Sequence, residues 1–163
     1  MNSAIQVSPV ALYNVFGKGE NPMKMPDKII NDMLAPCGMN CMVCYLHVGT
    51  RKLGKRCPGC FSGDDGTPKH CRTCRIKDCT KAKDVAYCYE CGEFPCKLVK
   101  NLEKSYNTRY NESIVNNSLY VREHGIEKFM QAEKSKWACH SCGGVISLHD
   151  AYCSECGAEY QRK

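Results

Sequence analysis

A chain of 163 residues has room for one ordinary domain or two small ones. Fifteen of its residues are cysteine, an odd number that suits a closed disulfide framework poorly, so reduced thiols bound to metal in a cytoplasmic protein are expected. The formal charge of +6 is no argument by itself for a polyanion partner, because taking fifteen protons off the thiols and adding four divalent ions brings it to −1.

Residues 1–32 show no sustained period. The mildly apolar run from Ala4 to Phe16 is broken by Gln6, Ser8, Pro9 and Asn14, and the first basic residue is Lys18, which is not the layout of a secretory signal. The stretch reads as a loose N-terminal extension, with Met23 or Met25 as the natural start and Leu12, Tyr13, Val15 and Phe16 as a candidate docking peptide. No stretch of the sequence is apolar for long enough to span a membrane.

From 33 to 96 the texture is cysteine-rich, opening APCGMNCMVC and closing CYECGEFPC. Between Cys37 and Cys96 lie eleven cysteines but only eight Leu, Ile, Val or Phe residues, too few for a conventional core at that length. Metal is expected to hold this domain. Its cysteines include four pairs in knuckle spacing, Cys41/Cys44, Cys57/Cys60, Cys71/Cys74 and Cys88/Cys91. Such a turn can aim two sulfurs at one ion while backbone N–H groups point at the thiolates. The triplet Cys71, Cys74, Cys79 repeats the spacing of Cys88, Cys91, Cys96 seventeen residues later, as a duplicated half-site or as two parts of one scaffold.

These eleven cysteines are one ligand short of three four-coordinate sites, and His47 or His70 could supply the twelfth. Alternatively the knuckles form two sites and leave Cys37, Cys79 and Cys96 as spare thiols or as ligands of a further ion. Cys37, Cys41 and Cys44 also have the spacing by which radical S-adenosylmethionine enzymes hold a cluster. The alternation of strands and helices that such a barrel needs is missing from the sequence. A plain iron–sulfur cluster within 37–96 stays open, since thiolates serve iron as well as zinc.

After Pro95 the pattern turns helical over 97–136. Leu98, Val99, Leu102, Tyr106 and Tyr110 recur near a helical period; Asn111 is placed to cap a second helix carrying Ile114, Val115 and Leu119, which ends near Gly125. Ile126, Phe129 and Met130 predict a third before Trp137. Residues 137–163 then carry Cys139/Cys142 and Cys153/Cys156, two CxxCG knuckles ten residues apart with Val145, Ile146 and Leu148 as a short strand between them. That is the pattern of a zinc ribbon, in which four thiolates complete the shell and leave His140 and His149 as surface or turn residues. The fold class expected is therefore a small metal-stabilised α+β protein: a zinc-knuckle domain, a short helical segment and a C-terminal ribbon, with three to four zinc ions.

The order APCGMNCMVCYL, CPGC, CRTCRIKDC, CYECGEFPC resembles the cysteine-rich prokaryotic family known as domain of unknown function 3795, over about residues 33–100. The helical arm and ribbon resemble longer members of that family. The resemblance implies zinc binding through Cys37, Cys41, Cys44, Cys57, Cys60, Cys74, Cys79, Cys88, Cys91 and Cys96, and implies no activity.

A thiolate-saturated site has no open position for substrate, and the sequence contains neither a phosphate loop, nor a nucleophile elbow, nor an H-E-x-x-H motif. Asp64, Asp65 and Glu93 are explained by a solvated turn and a helix N-terminus. The reading is thus a structural-zinc scaffold for a protein partner, or for nucleic acid through the basic residues Arg51, Lys52, Lys55, Arg56, Lys69, Arg72, Arg75, Lys77, Lys81 and Lys83. The alternative is iron–sulfur or thiol-based redox and metal handling, in which Arg72, Arg75 and Lys77 favour thiolate at Cys71, Cys74 or Cys79.

Overall fold

Three helices account for most of the regular structure, and their boundaries follow local chemistry. In the computed structural model, which describes residues 23–49 and 55–162, the long helices run Lys97–Tyr110, Ile114–His124 and Ile126–Trp137. Three shorter ones precede them, Tyr45–Val48, Lys69–Arg72 and Arg75–Ala82. In chain order these are α1 (Tyr45–Val48), α2 (Lys69–Arg72), α3 (Arg75–Ala82), α4 (Lys97–Tyr110), α5 (Ile114–His124) and α6 (Ile126–Trp137). Single 3-10 turns lie at Asn31–Met33, Cys41–Val43 and Cys88–Glu90.

Asn111 does not cap α5. It takes the left-handed conformation, with φ 52°, and ends α4, a role open to asparagine because it tolerates that region. The N-cap of α5 is Ser113, whose Oγ accepts from the Asn116 N–H at 3.0 Å. Ser113 itself donates to Glu103 Oε1 at 2.6 Å, and Glu103 Oε2 accepts from the Val115 N–H. One carboxylate on α4 therefore sets the turn into α5.

No strand forms among the described residues, so the α+β expectation is not met and the molecule is mostly helical there. The run Val145, Ile146, Leu148 contributes only isolated antiparallel bridges, Ala138 with Val145 and Ile146 with Cys153, beside a third between Tyr152 and Glu159. Val145 N–H is taken by Met23 O and Leu148 N–H by Val43 O, so this run pairs outside the tail instead of extending a ladder within it.

Residues 1–22, including Leu12, Tyr13, Val15 and Phe16, lie outside the described residues, as do Arg51, Lys52 and Leu53. The rest of the stretch read as a loose extension makes contacts. Met25 N–H donates to Gly143 O and Val145 N–H to Met23 O, both at 2.8 Å, and Ile29 is buried. Main-chain pairing of this kind has no residue signature, which is why periodicity missed it.

The core is shared. Leu34, Val43 and Val48 from the cysteine-rich segment meet Val99, Ile114, Phe129, Met130 and Trp137 from the long helices and Val145 and Leu148 from the tail. The few apolar residues of the cysteine-rich segment thus borrow a core from the helices instead of relying on metal alone. Direct ties run between the parts, Leu148 N–H to Val43 O at 2.9 Å and Asn117 Nδ2 to Gly38 O at 3.2 Å, and within the cysteine-rich segment Cys88 N–H donates to Pro36 O at 2.8 Å. No described helix is long and apolar enough to cross a membrane.

Candidate metal centres

The tail quartet converges. Cys139 Sγ lies 3.7 Å from Cys156 Sγ and Cys142 Sγ lies 3.5 Å from Cys153 Sγ. All four sulfurs fall within 4.8 Å of one another, and among the described residues no other set of three or more candidate ligands is drawn so close. The knuckle turns direct N–H groups at sulfur, Gly144 to Cys142 and Glu155 to Cys153, each at 3.4 Å. Gly144 is required here because a Cβ would press on Cys153 Sγ and the Glu155 side chain.

These donors tune the thiols. Burial raises Cys139, but the N–H groups of Ser141 and Cys142 and the Cys156 and Cys153 thiols outweigh it and bring the sulfur down to about 7. Burial pushes Cys153 up to about 12. A divalent ion at the centre reverses the cost of gathering four thiolates.

Lys24 braces the turn, donating to Cys142 O at 2.6 Å and pairing with Glu155. His140 is exposed, as expected. His149 is half-buried: its Nδ1 accepts from the Tyr45 N–H at 3.5 Å, its Nε2 meets Tyr106 Oη at 3.2 Å, and the rings of Tyr45, Tyr106 and Tyr110 pack edge-on to it. It ties the tail to α1 and α4.

In the cysteine-rich segment the knuckles are shared out between neighbourhoods. Cys57 N–H donates to Leu46 O at 3.0 Å, laying the Cys57/Cys60 turn beside the Cys41/Cys44 turn. The two turns then exchange sulfurs. Cys41 donates to Cys60 at 3.7 Å, holding the proton on Cys41 and drawing Cys60 down to about 7. Cys44 is raised to about 12, by burial first and then by its neighbours Cys57 and Cys71. Burial also raises Cys37, whose sulfur neighbours are Cys60, Cys88 and Cys74. Cys71 is raised to about 11 by burial and by Cys60, Cys57 and Cys74. Cys88 and Cys91 line one pocket with Cys79 and Cys96. Burial pushes Cys88 up to about 12, with Cys96, Cys79, Cys91 and Cys74 adding to it.

The repeated triplets are therefore not equivalent. Cys71 lies among Cys57, Cys60 and Cys74, whereas Cys79 lines one pocket together with Cys88, Cys91 and Cys96. No disulfide joins any of the fifteen cysteines.

Of the two candidate histidines, His47 lies deeper. Its Nδ1 is 2.7 Å from Cys57 O, and burial lowers its pKa, so the neutral ring donates from Nδ1 and carries its lone pair on Nε2. That is the tautomer of a metal ligand supported by a backbone carbonyl. His70 is exposed on α2, near Cys57.

Two residues outside the ligand sets shape the segment and escaped notice in the sequence. Glu90 Oε2 accepts from the N–H groups of Ala86 and Tyr87 at 2.9 and 3.0 Å, closing the loop that presents Cys88 and Cys91. Asn40 donates from Nδ2 to Glu133 Oε2 on α6 at 3.0 Å and accepts from the Met42 N–H at 3.0 Å. Their positions inside C-x-E-C and M-N-C were the available signal.

Residues 33–101 match the family described as "Protein of unknown function (DUF3795)", so the chain carries that domain over somewhat less than half its length. No curated protein and no solved structure matches the chain. Beyond the domain lie most of the helical region and the four-cysteine group that could hold a metal ion.

Proposed function

We propose that the protein is a zinc-binding scaffold of the cytoplasm, whose metal sites shape a surface for another macromolecule. The tail acts as a zinc ribbon with Cys139, Cys142, Cys153 and Cys156 as ligands. The eleven cysteines of 37–96 hold further ions, making 33–96, 97–136 and 137–163 a knuckle domain, a helical segment and a ribbon.

The observation that carries this reading is the spacing of the tail sulfurs. A tetrahedral ion with zinc–sulfur bonds of about 2.3 Å sets its four sulfurs about 3.8 Å apart, and the Cys139–Cys156 and Cys142–Cys153 edges here are 3.7 and 3.5 Å. A polynuclear cluster would force them wider. Saturation by four thiolates supports a structural role over a catalytic one.

The test is zinc per chain, measured on the full chain purified anaerobically, for the natural protein and Cys156→Ser. Cys156 is exposed, which limits damage to packing. The variant is expected to lose about one zinc ion per chain; an unchanged zinc content would sink the ribbon assignment.

For the partner, a protein is the first choice. Phe61 is 42% exposed and packs its ring edge-on to Tyr87, which stacks on Tyr89, giving an aromatic run at the surface. Nucleic acid is favoured by a different observation, the exposed cations Lys69, Arg72, Arg75 and Lys81 on α2 and α3.

A further inference from the structure

Cys79, Cys88, Cys91 and Cys96 line one cavity, to which Val85, Phe94 and Val99 add apolar wall. Its volume is about 30 Å³, against roughly 10–15 Å³ for a single ordered water. A single ion fits such a space, and an organic ligand or a cluster of several metals does not. Sulfur donors beside apolar wall suit a soft or borderline ion such as zinc, and give a hard cation such as magnesium nothing to bind.

None of the four is in a disulfide. The sulfurs that act on Cys88 are, in falling order, Cys96, Cys79, Cys91 and Cys74. On the rim of the cavity Lys83 donates to Cys91 Sγ at 3.6 Å and pairs with Glu93 Oε2 at 2.9 Å. An ammonium donor on sulfur favours thiolate and orients it, the service that outer partners give to metal ligands.

We propose that Cys79, Cys88, Cys91 and Cys96 hold one tetrahedral zinc ion together, so that the last cysteine of the first triplet belongs to the centre of the second. The proposal rests on the metal-scaffold reading and adds to it the membership of one site within 37–96. Cys79 comes from α3, Cys88 and Cys91 from the turn that Glu90 closes, and Cys96 from the N-cap of α4. The set spreads over eighteen residues, and the packing of α3 beside α4 brings its two ends to one cavity. No three of these sulfurs are drawn within the 4.8 Å that spans the tail quartet. A tetrahedral zinc site needs sulfurs about 3.8 Å apart, so binding draws α3, the turn and the start of α4 closer together. This is a site that metal completes, whereas the tail quartet is already gathered.

The test is zinc per chain on the full chain, made and purified without oxygen with zinc present. Cys79→Ser and Cys96→Ser are each expected to carry about one ion less than the natural chain, and the double variant again about one less, because both residues serve the same ion. Cys79→Ser combined with Cys156→Ser is expected to lose about two. A Cys79→Ser chain with its full zinc content, or a Cys79→Ser/Cys96→Ser chain short of about two ions, would overturn the proposal. So would visible charge-transfer absorbance that Cys79→Ser abolishes, the mark of an iron–sulfur centre.

A second measurement needs no variant, so no folding defect confuses it: alkylation of the natural chain over a series of chelator concentrations, read by peptide mass spectrometry. Cys79, Cys88, Cys91 and Cys96 are expected to lose protection in one step. Protection that Cys88 shares with Cys37 or Cys74 and not with Cys79 would sink the grouping. A natural chain whose only zinc is the tail's sinks the wider reading of 37–96 as well, whereas zinc beyond the tail that Cys79→Ser leaves untouched sinks this grouping alone.

Discussion

Glu133 is a carboxyl at the centre of the molecule, and two neutral donors converge on one of its oxygens. Asn40 Nδ2 and Trp137 Nε1 each donate to Oε2 at 3.0 Å. Burial pushes its pKa above the ordinary 4.5, against the downward pull of Asn40, Lys136 and Trp137, while Glu112 adds to the rise. The folded state therefore binds this proton more tightly than the unfolded chain does. Its stabilising contribution is complete below 4.5 and is lost as the pH climbs through the raised folded value. Glu133→Gln keeps an acceptor oxygen for both donors and removes the titration. The variant is expected to gain on the natural protein steadily as pH rises from 4.5, measured as the difference in thermal midpoint across a pH series. A difference that stays constant with pH would show that Glu133 does not titrate in this range.

At the scale of elements, the decisive contact is between the start of the cysteine-rich domain and α5. Gly38 has φ 92°, and a Cβ there would overlap the Ser118 hydroxyl and the Ile114 carbonyl. Its own carbonyl accepts from Asn117 Nδ2. Glycine is thus needed twice, for the left-handed backbone and for the close approach of the turn to the helix. Gly38→Ala is expected to cost about 3 kcal/mol in urea unfolding, with m unchanged. A loss below about 1 kcal/mol would mean that the turn and helix separate easily.

At the scale of the molecule, the apolar core and the four-cysteine tail are not independent supports. Trp137 is the single tryptophan, 1% exposed, packed at a tilt against Tyr160 and two residues before the first tail cysteine. The tail also donates from Leu148 to Val43, so a loosened tail opens the core that the cysteine-rich segment borrows. Removing metal from the natural protein with a strong chelator at neutral pH is expected to shift tryptophan emission to the red and lower the thermal midpoint. Unchanged emission would show that packing alone holds the tail in place.

Much of the helical region could be read from its residues. The apolar period over Leu98 to Tyr110 and again over Ile114 to Leu119 reports which side of a helix is buried, a property local to each helix. The tail quartet was legible for the same reason: two knuckles ten residues apart can reach one ion without help from the rest of the chain. Where two local roles compete, as at Asn111, which ends α4 instead of starting α5, residue type alone did not decide.

The sharing of sulfurs in 37–96 is another matter. Spacing restricts which two cysteines occupy one turn, but the partner of a sulfur depends on which turn the fold lays beside it. Cys41 meets Cys60, Cys44 meets Cys57, and Cys79 joins Cys88, Cys91 and Cys96 through contacts between elements. The sequence by itself determined that this protein is rich in thiols, that its tail brings four of them together and where its long helices run. Tertiary structure alone decided which of the remaining cysteines lie beside one another, because distances between separate turns are set by packing and not by position along the chain.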